Sequence, residues 1–209
     1  MPTRYPTIYL FDRVADPEDF DALYALEALT NERIRDEVGQ VELVPPNERL
    51  VGPGSGPIMA AFTHLNPEGS RFSDGSFGVF YAAHDRATAV AETQYHHARF
   101  LSGTRQGAMQ LPMRLYSVRI SAQLHDLRPD GAVSSEVYAS DSYTASQTLG
   151  RHLRQQDSSG VVYRSVRHPG GECVGLFKPK GASLCMHAAQ LLYVWNGHAF
   201  VDVYEKLDT

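Results

Sequence analysis

Four side chains in this sequence join reactive types to places where strands end or helices begin: Arg71, Tyr81, Glu92 and Ser165. Arg71 precedes a Gly-rich turn (Asp74, Gly75, Gly78) that feeds a strand. Tyr81 closes that strand, and Glu92 lies just past the first turn of the helix that follows. Far downstream, Ser165 sits in YRSVRHPGG, a strand running into a tight turn. A local arginine can meet an anionic small ligand without the protein being basic. Each residue also has an ordinary explanation. Arg71 could pair with a surface acid, Tyr81 could be core, Glu92 could solvate its helix, and Ser165 could satisfy a strand-end backbone group. Composition and periodicity alone leave the ordinary explanations ahead.

The standard catalytic devices are missing around them. GPGSG (52–56) lacks the GK[ST] ending of a phosphate-cradling loop and reads as a turn, and no G-x-G-x-x-G opens a helix. There is no H-E-x-x-H, Cys173 and Cys185 lie in unrelated elements, and Glu92 with His96 is weak ligand spacing, so no metal is expected. No G-x-S-x-G elbow marks a serine hydrolase. Composition is that of an ordinary soluble globular protein, with 43% hydrophobic and 21% charged residues in a 209-residue chain. A net charge of −5 argues against direct nucleic-acid binding, which needs a basic surface. No apolar run reaches the ~20 residues of a membrane span. The N-terminus MPTRYPTIYLFDR lacks the apolar core of a secretory signal, so a cytoplasmic location is expected.

The elements that must position these residues follow from local pattern. TIYLF (7–11) reads as a strand, and Asp16 as the N-cap of a helix ended by Gly39. Residues 45–57 read as a loop. A strand is expected from Phe77 through Ala82, then a helix from an N-cap at Asp85 to about Leu101. Ala87, Val90, Ala91, Tyr95 and Ala98 form its apolar face, with Glu92 at the margin. Further strands are expected at 113–120, 160–166 and 173–179, and a helix at 144–156 despite Gly150. Asn196-Gly197 predicts a hairpin with a two-residue turn. Strands outnumber helices, which points to a mixed α+β fold in one domain, 1–209.

Two stretches taken together, SRFSDGSFGVFYAAHDRATAVAET (70–93) and GVVYRSVRHPGGECVGLFKP (160–179), resemble the RES-domain family, named for its arginine, glutamate and serine. The matching positions are Arg71, Glu92 and Ser165, and FDRV with Arg13 is similar to the short strand that opens these domains. The likeness is weak over 15–60, which reads as a helical insertion or extension. The resemblance implies a mainly antiparallel sheet core with flanking helices, similar to ADP-ribosyltransferase toxins, and a cleft for NAD+. It implies a toxin of a bacterial type II toxin–antitoxin pair, bound by a cognate antitoxin that carries the DNA-binding region. NAD+ would be a substrate rather than a permanently bound cofactor, and neither nucleic acid nor membrane would be contacted directly. The implied catalytic set is Arg71, Tyr81, Glu92 and Ser165; Arg13, Arg71, Tyr81 and Gly75 would bind the dinucleotide. The expected reaction is cleavage of the nicotinamide–ribose bond by water or phosphate. ADP-ribose transfer to a protein, or a non-enzymatic partner-binding domain, are the alternatives.

Overall fold

The computed structural model describes residues 39–206. The expected strand at 7–11, the helix begun at Asp16 and Arg13 lie outside them. The described chain opens with short 3-10 turns at Val41–Leu43 and Pro46–Glu48, then α1 (Gly56–Thr63). Strand β1 (Phe80–Ala83) leads into α2 (Arg86–Gly103), followed by β2 (Met109–Ser117) and the short β3 (His125–Asp126). A 3-10 turn (Ser135–Tyr138) precedes α3 (Thr144–Gln155); β4 (Gly160–Arg164), β5 (Glu172–Leu176), β6 (Met186–Trp195) and β7 (Phe200–Lys206) complete the order.

The strands form two sheets. One is four-stranded in the order β1-β5-β4-β3, antiparallel except that β3 runs parallel to β4. The other is an antiparallel three-stranded sheet, β2-β6-β7. This is the α+β, mainly antiparallel architecture expected. Helix α2 touches both sheets. Val90 packs on the Met113, Ala189, Leu191 and Tyr193 cluster of the smaller sheet, and Thr93 Oγ1 meets Tyr193 OH at 2.9 Å. Its other side faces β5 and the turn that follows β4. A helix wedged between sheets explains why no single apolar stripe dominates it, and Ala87, expected on the apolar face, is exposed.

Asp85 caps α2 as expected, its Oδ1 accepting from Thr88 N at 2.8 Å. Helix α1 was not foreseen. Its Ile58, Met59, Phe62 and Thr63 are buried on one face, and the half-buried other face carries Gly56, Pro57, Ala60 and Ala61 with no polar residue, so no helical period of polarity could be read. Strand β1 starts later than expected because Gly78 is pressed against α1, where a Cβ would lie 2.4 Å from Ala61 O. The β6–β7 connection runs over 196–199 rather than two residues. Asn196 Oδ1 accepts from His198 N (2.9 Å) and Ala199 N (2.8 Å), and this side-chain cap stabilises a wider loop.

Helix α3 buries Ser146, Gly150 and Leu153, one helical face, against the 70–74 segment. A Cβ on Gly150 would lie 2.0 Å from Phe72 O. Gln147 Nε2 donates to both Ser70 O (3.0 Å) and Ser73 O (3.2 Å), and Arg151 pairs with Asp74 at 2.6 Å. The helix thus grips the backbone on either side of Arg71. Ala is the better helix former by about 1 kcal/mol. At this contact, however, overpacking against backbone costs about 1–3 kcal/mol. Gly150→Ala is therefore expected to destabilise the protein in urea denaturation, and a stabilised variant would contradict the packing described.

Candidate active site

Three successive turns of α2 present Thr88, Glu92 and Tyr95 on one stripe, and each meets the turn that follows β4. Thr88 Oγ1 lies 2.8 Å from His168 Nδ1, Ser165 Oγ donates to Glu92 Oε1 at 2.6 Å, and the Arg167 guanidinium sits 3.4 Å from the Tyr95 ring centre. Thr88 Oγ1 also donates to Asp85 Oδ2 at 2.7 Å. Its one proton is then used, so His168 Nδ1 must donate to it.

Ser165 is placed by main-chain bonds. Its N–H donates to Gly171 O (2.8 Å), closing the turn, and its Oγ accepts from Arg167 N (3.1 Å) and His168 N (3.0 Å). With both acceptor positions filled, the hydroxyl proton points at Glu92. Cys173 Sγ, on β5, approaches the same Oε1 at 3.9 Å. Burial and the Glu92 charge push the Cys173 thiol up to about 12, so at neutral pH it stays protonated and is no nucleophile. Oε2 of Glu92 has no protein partner among the described residues and is not sealed from solvent. The carboxylate is aimed by one oxygen and free at the other.

Arg71 is buried, with 7% of its surface exposed. Its Nη1 donates to Val137 O (3.2 Å) and Ala139 O (3.3 Å), and its guanidinium lies 4.7 Å from the Tyr143 ring centre. No carboxylate among the described residues lies within ion-pair range. By contrast Arg86, Arg128, Arg151 and Arg164 each meet one. A buried cation without a counter-ion is unfavourable in an isolated protein and suits a site that receives an anion.

Tyr81 supports this arginine. Its hydroxyl accepts from Phe72 N (2.9 Å) and shares a hydrogen bond with Ser70 Oγ (2.9 Å), so it ties both neighbours of Arg71 to β1. Burial pushes that hydroxyl up to about 12, so it stays neutral. Tyr81→Phe would leave the Phe72 N–H without its acceptor, a loss of about 1–3 kcal/mol. Equilibrium denaturation should show it, and unchanged stability would count against this role.

The resemblance implies that Gly75 binds the dinucleotide, and Gly78 belongs to the same Gly-rich turn. The structure places Gly75 at φ +95° with Asn66 O 2.8 Å from where a Cβ would be, and Gly78 against α1. Packing within the chain accounts for both glycines. Ser165, Glu92, Arg71 and Tyr81 are thus arranged around the turn after β4, the middle of α2 and the 70–74 segment, while Arg13 lies outside the described residues.

Sequence reasoning missed Tyr95, Tyr143, Arg167, His168 and Cys173. Arg167 and His168 were in view within YRSVRHPGG, and their spacing from Ser165 was the available signal. A groove of about 430 Å³ also borders Ser165 on the side of Tyr138, Arg164 and Asp130, where Arg164 is neutralised by Asp130 at 2.8 Å. Among the described residues no cluster of His, Cys, Asp or Glu is suited to a metal ion, and no helix is long and apolar enough to cross a membrane.

The RES domain model matches residues 48–196. The chain belongs to the RES-domain family. Arg71, Tyr81, Glu92 and Ser165 all fall inside the matched region, and Arg13 falls outside it. Over 200 residues the RES-domain chain is 28% identical to the uncharacterized protein y4oC of Sinorhizobium fredii (strain NBRC 101917 / NGR234), covering 94% of this chain and 81% of that protein. Among solved structures, the M. tuberculosis MbcT-MbcA toxin–antitoxin complex is similar with a TM-score of 0.44 and 14% identity, covering 63% of this chain and 74% of that one.

Proposed function

We propose that this RES-domain protein is the toxin of a toxin–antitoxin pair and cleaves the nicotinamide–ribose bond of NAD+. The observation that carries the reading is a single carboxylate, Glu92, aimed through one oxygen by Ser165 and open at the other, together with a buried arginine, Arg71, that has no counter-ion among the described residues.

Ordinary glycoside hydrolysis uses two carboxyl groups, one of which protonates the leaving oxygen. Nicotinamide is attached as a cation and departs neutral, so no acid is required. As the C–N bond breaks, its electron pair goes to the ring nitrogen and positive charge spreads over the ribose. The negative charge of Glu92 Oε2, hydrogen-bonded to ribose hydroxyls, stabilises that charge. Ser165 keeps the carboxylate from rotating as the charge develops. The acceptor, water or phosphate, then bonds to the ribose carbon and releases its proton to solvent. Arg71 presents its remaining N–H groups to the phosphate charge of the dinucleotide, which is present throughout.

An enzyme that consumes NAD+ poisons the cell that makes it, which is why a cognate antitoxin is part of the proposal. The net charge of −5 favours a reading in which any contact with DNA is made by that partner. A cytoplasmic location follows from the substrate. Incubation with NAD+ labelled in the adenylate half separates the possible acceptors. Free ADP-ribose marks hydrolysis, ADP-ribose phosphate marks phosphorolysis, and label on protein would replace the proposal with ADP-ribosyl transfer.

A further inference from the structure

Arg167 is half-buried, and as with Arg71 no carboxylate among the described residues lies within ion-pair range of it. Its guanidinium is stacked 3.4 Å from the Tyr95 ring centre, one turn along α2 from Glu92. Its Nη2 donates to Ser140 O and lies 3.5 Å from Tyr143 OH. Its Nε is sealed from solvent and has no hydrogen-bond partner. A surface arginine would swing into water rather than hold such a pose. Here the tyrosine stack and the Ser140 carbonyl fix the planar fork and leave Nη1 without a partner among the described residues.

The two arginines belong to one construction. The 137–143 segment gives the carbonyls of Val137 and Ala139 to Arg71 and that of Ser140 to Arg167. Tyr143 touches both, its ring under Arg71 at 4.7 Å and its hydroxyl beside Arg167. Neutral carbonyls and ring faces orient the two cations without cancelling their charge. Two uncancelled cations on one segment repel each other, and an anion between them relieves that repulsion.

We propose that Arg167 is a second anion-holding residue of the cleft, paired with Arg71 so that the site selects ligands with two adjacent phosphoryl groups, one for each guanidinium. This rests on the reading of the cleft as an NAD+ site and adds the residue that would distinguish a diphosphate-bridged ligand from a mononucleotide.

Calorimetric titration of the full-length protein with ADP-ribose and with AMP tests the pairing without requiring turnover. Arg167→Gln should weaken ADP-ribose binding by roughly 10–100-fold, the scale of a lost charge-assisted contact, and AMP binding far less. Arg167→Lys should recover part of the loss. On the unaltered protein, inorganic pyrophosphate should displace ADP-ribose at concentrations where orthophosphate does not, which keeps the test decisive if a variant misfolds. If wild-type protein binds ADP-ribose and Arg167→Gln binds it equally well, or loses both ligands equally, the pairing is overturned while the NAD+ reading stands. If wild-type protein binds no ADP-ribose, both fall.

Discussion

Glu92→Gln is expected to lower the rate constant for nicotinamide release by about 10²–10³-fold, the loss typical of removing an electrostatic stabiliser, with much less change in NAD+ affinity. The amide keeps the size of the side chain and can still accept from Ser165 Oγ, whose proton reaches Glu92 Oε1 at 2.6 Å. What disappears is the negative charge at the position of Oε2. Charge on the ribose develops only as nicotinamide leaves, so its loss is felt in kcat rather than in binding. Single-turnover kinetics with parallel calorimetry separates the two. A variant that fails to bind NAD+ but, at saturation, turns over normally would place Glu92 in substrate binding instead.

Arg71→Lys should show the opposite division. Phosphate charge is the same in ground and transition states, so a group that holds it contributes uniformly to both. Lysine keeps the charge but loses the planar stack on Tyr143 and the fork that reaches Val137 O and Ala139 O. The expected outcome is NAD+ binding weaker by about tenfold or more, the scale of a charge-assisted hydrogen bond, with kcat altered only a few-fold. Titration with NAD+ and initial rates at saturating substrate measure the two quantities. Normal binding with slow turnover would reverse the roles assigned to Arg71 and Glu92.

Local signals carried much of the fold. The Asp85 cap was readable because a cap and its helix are neighbours in sequence, whereas the expected apolar face of α2 was not: the helix packs between two sheets, and Ala87 is exposed. Helix α3 was readable in spite of Gly150, although the reason for that glycine, the carbonyl of Phe72, lies in another segment. Helix α1 hid because its outer face carries Pro57, Ala60 and Ala61 instead of polar residues, which leaves no contrast to read.

The site was legible only in part, for a different reason. Ser165 meets Glu92 across 73 residues of sequence, and no spacing rule joins a strand-end serine to a helix that far away. The resemblance put both residues in one catalytic set, without pairing them. It did not supply the supports: Tyr81 bracing the segment that carries Arg71, or Tyr143 lying between two arginines. Those depend on which loop folds over which strand, and arginines without acidic partners can be recognised only once every neighbouring carboxylate has been placed.

The most direct test of the proposed reaction is a time course of NAD+ and free nicotinamide with purified, folded, antitoxin-free protein, run with and without phosphate and alongside Glu92→Gln. The account predicts that nicotinamide appears in step with NAD+ loss for the wild-type protein, and at least ~100-fold more slowly for the variant. NAD+ left intact by the wild-type protein in both buffers, with no label on protein, would contradict it.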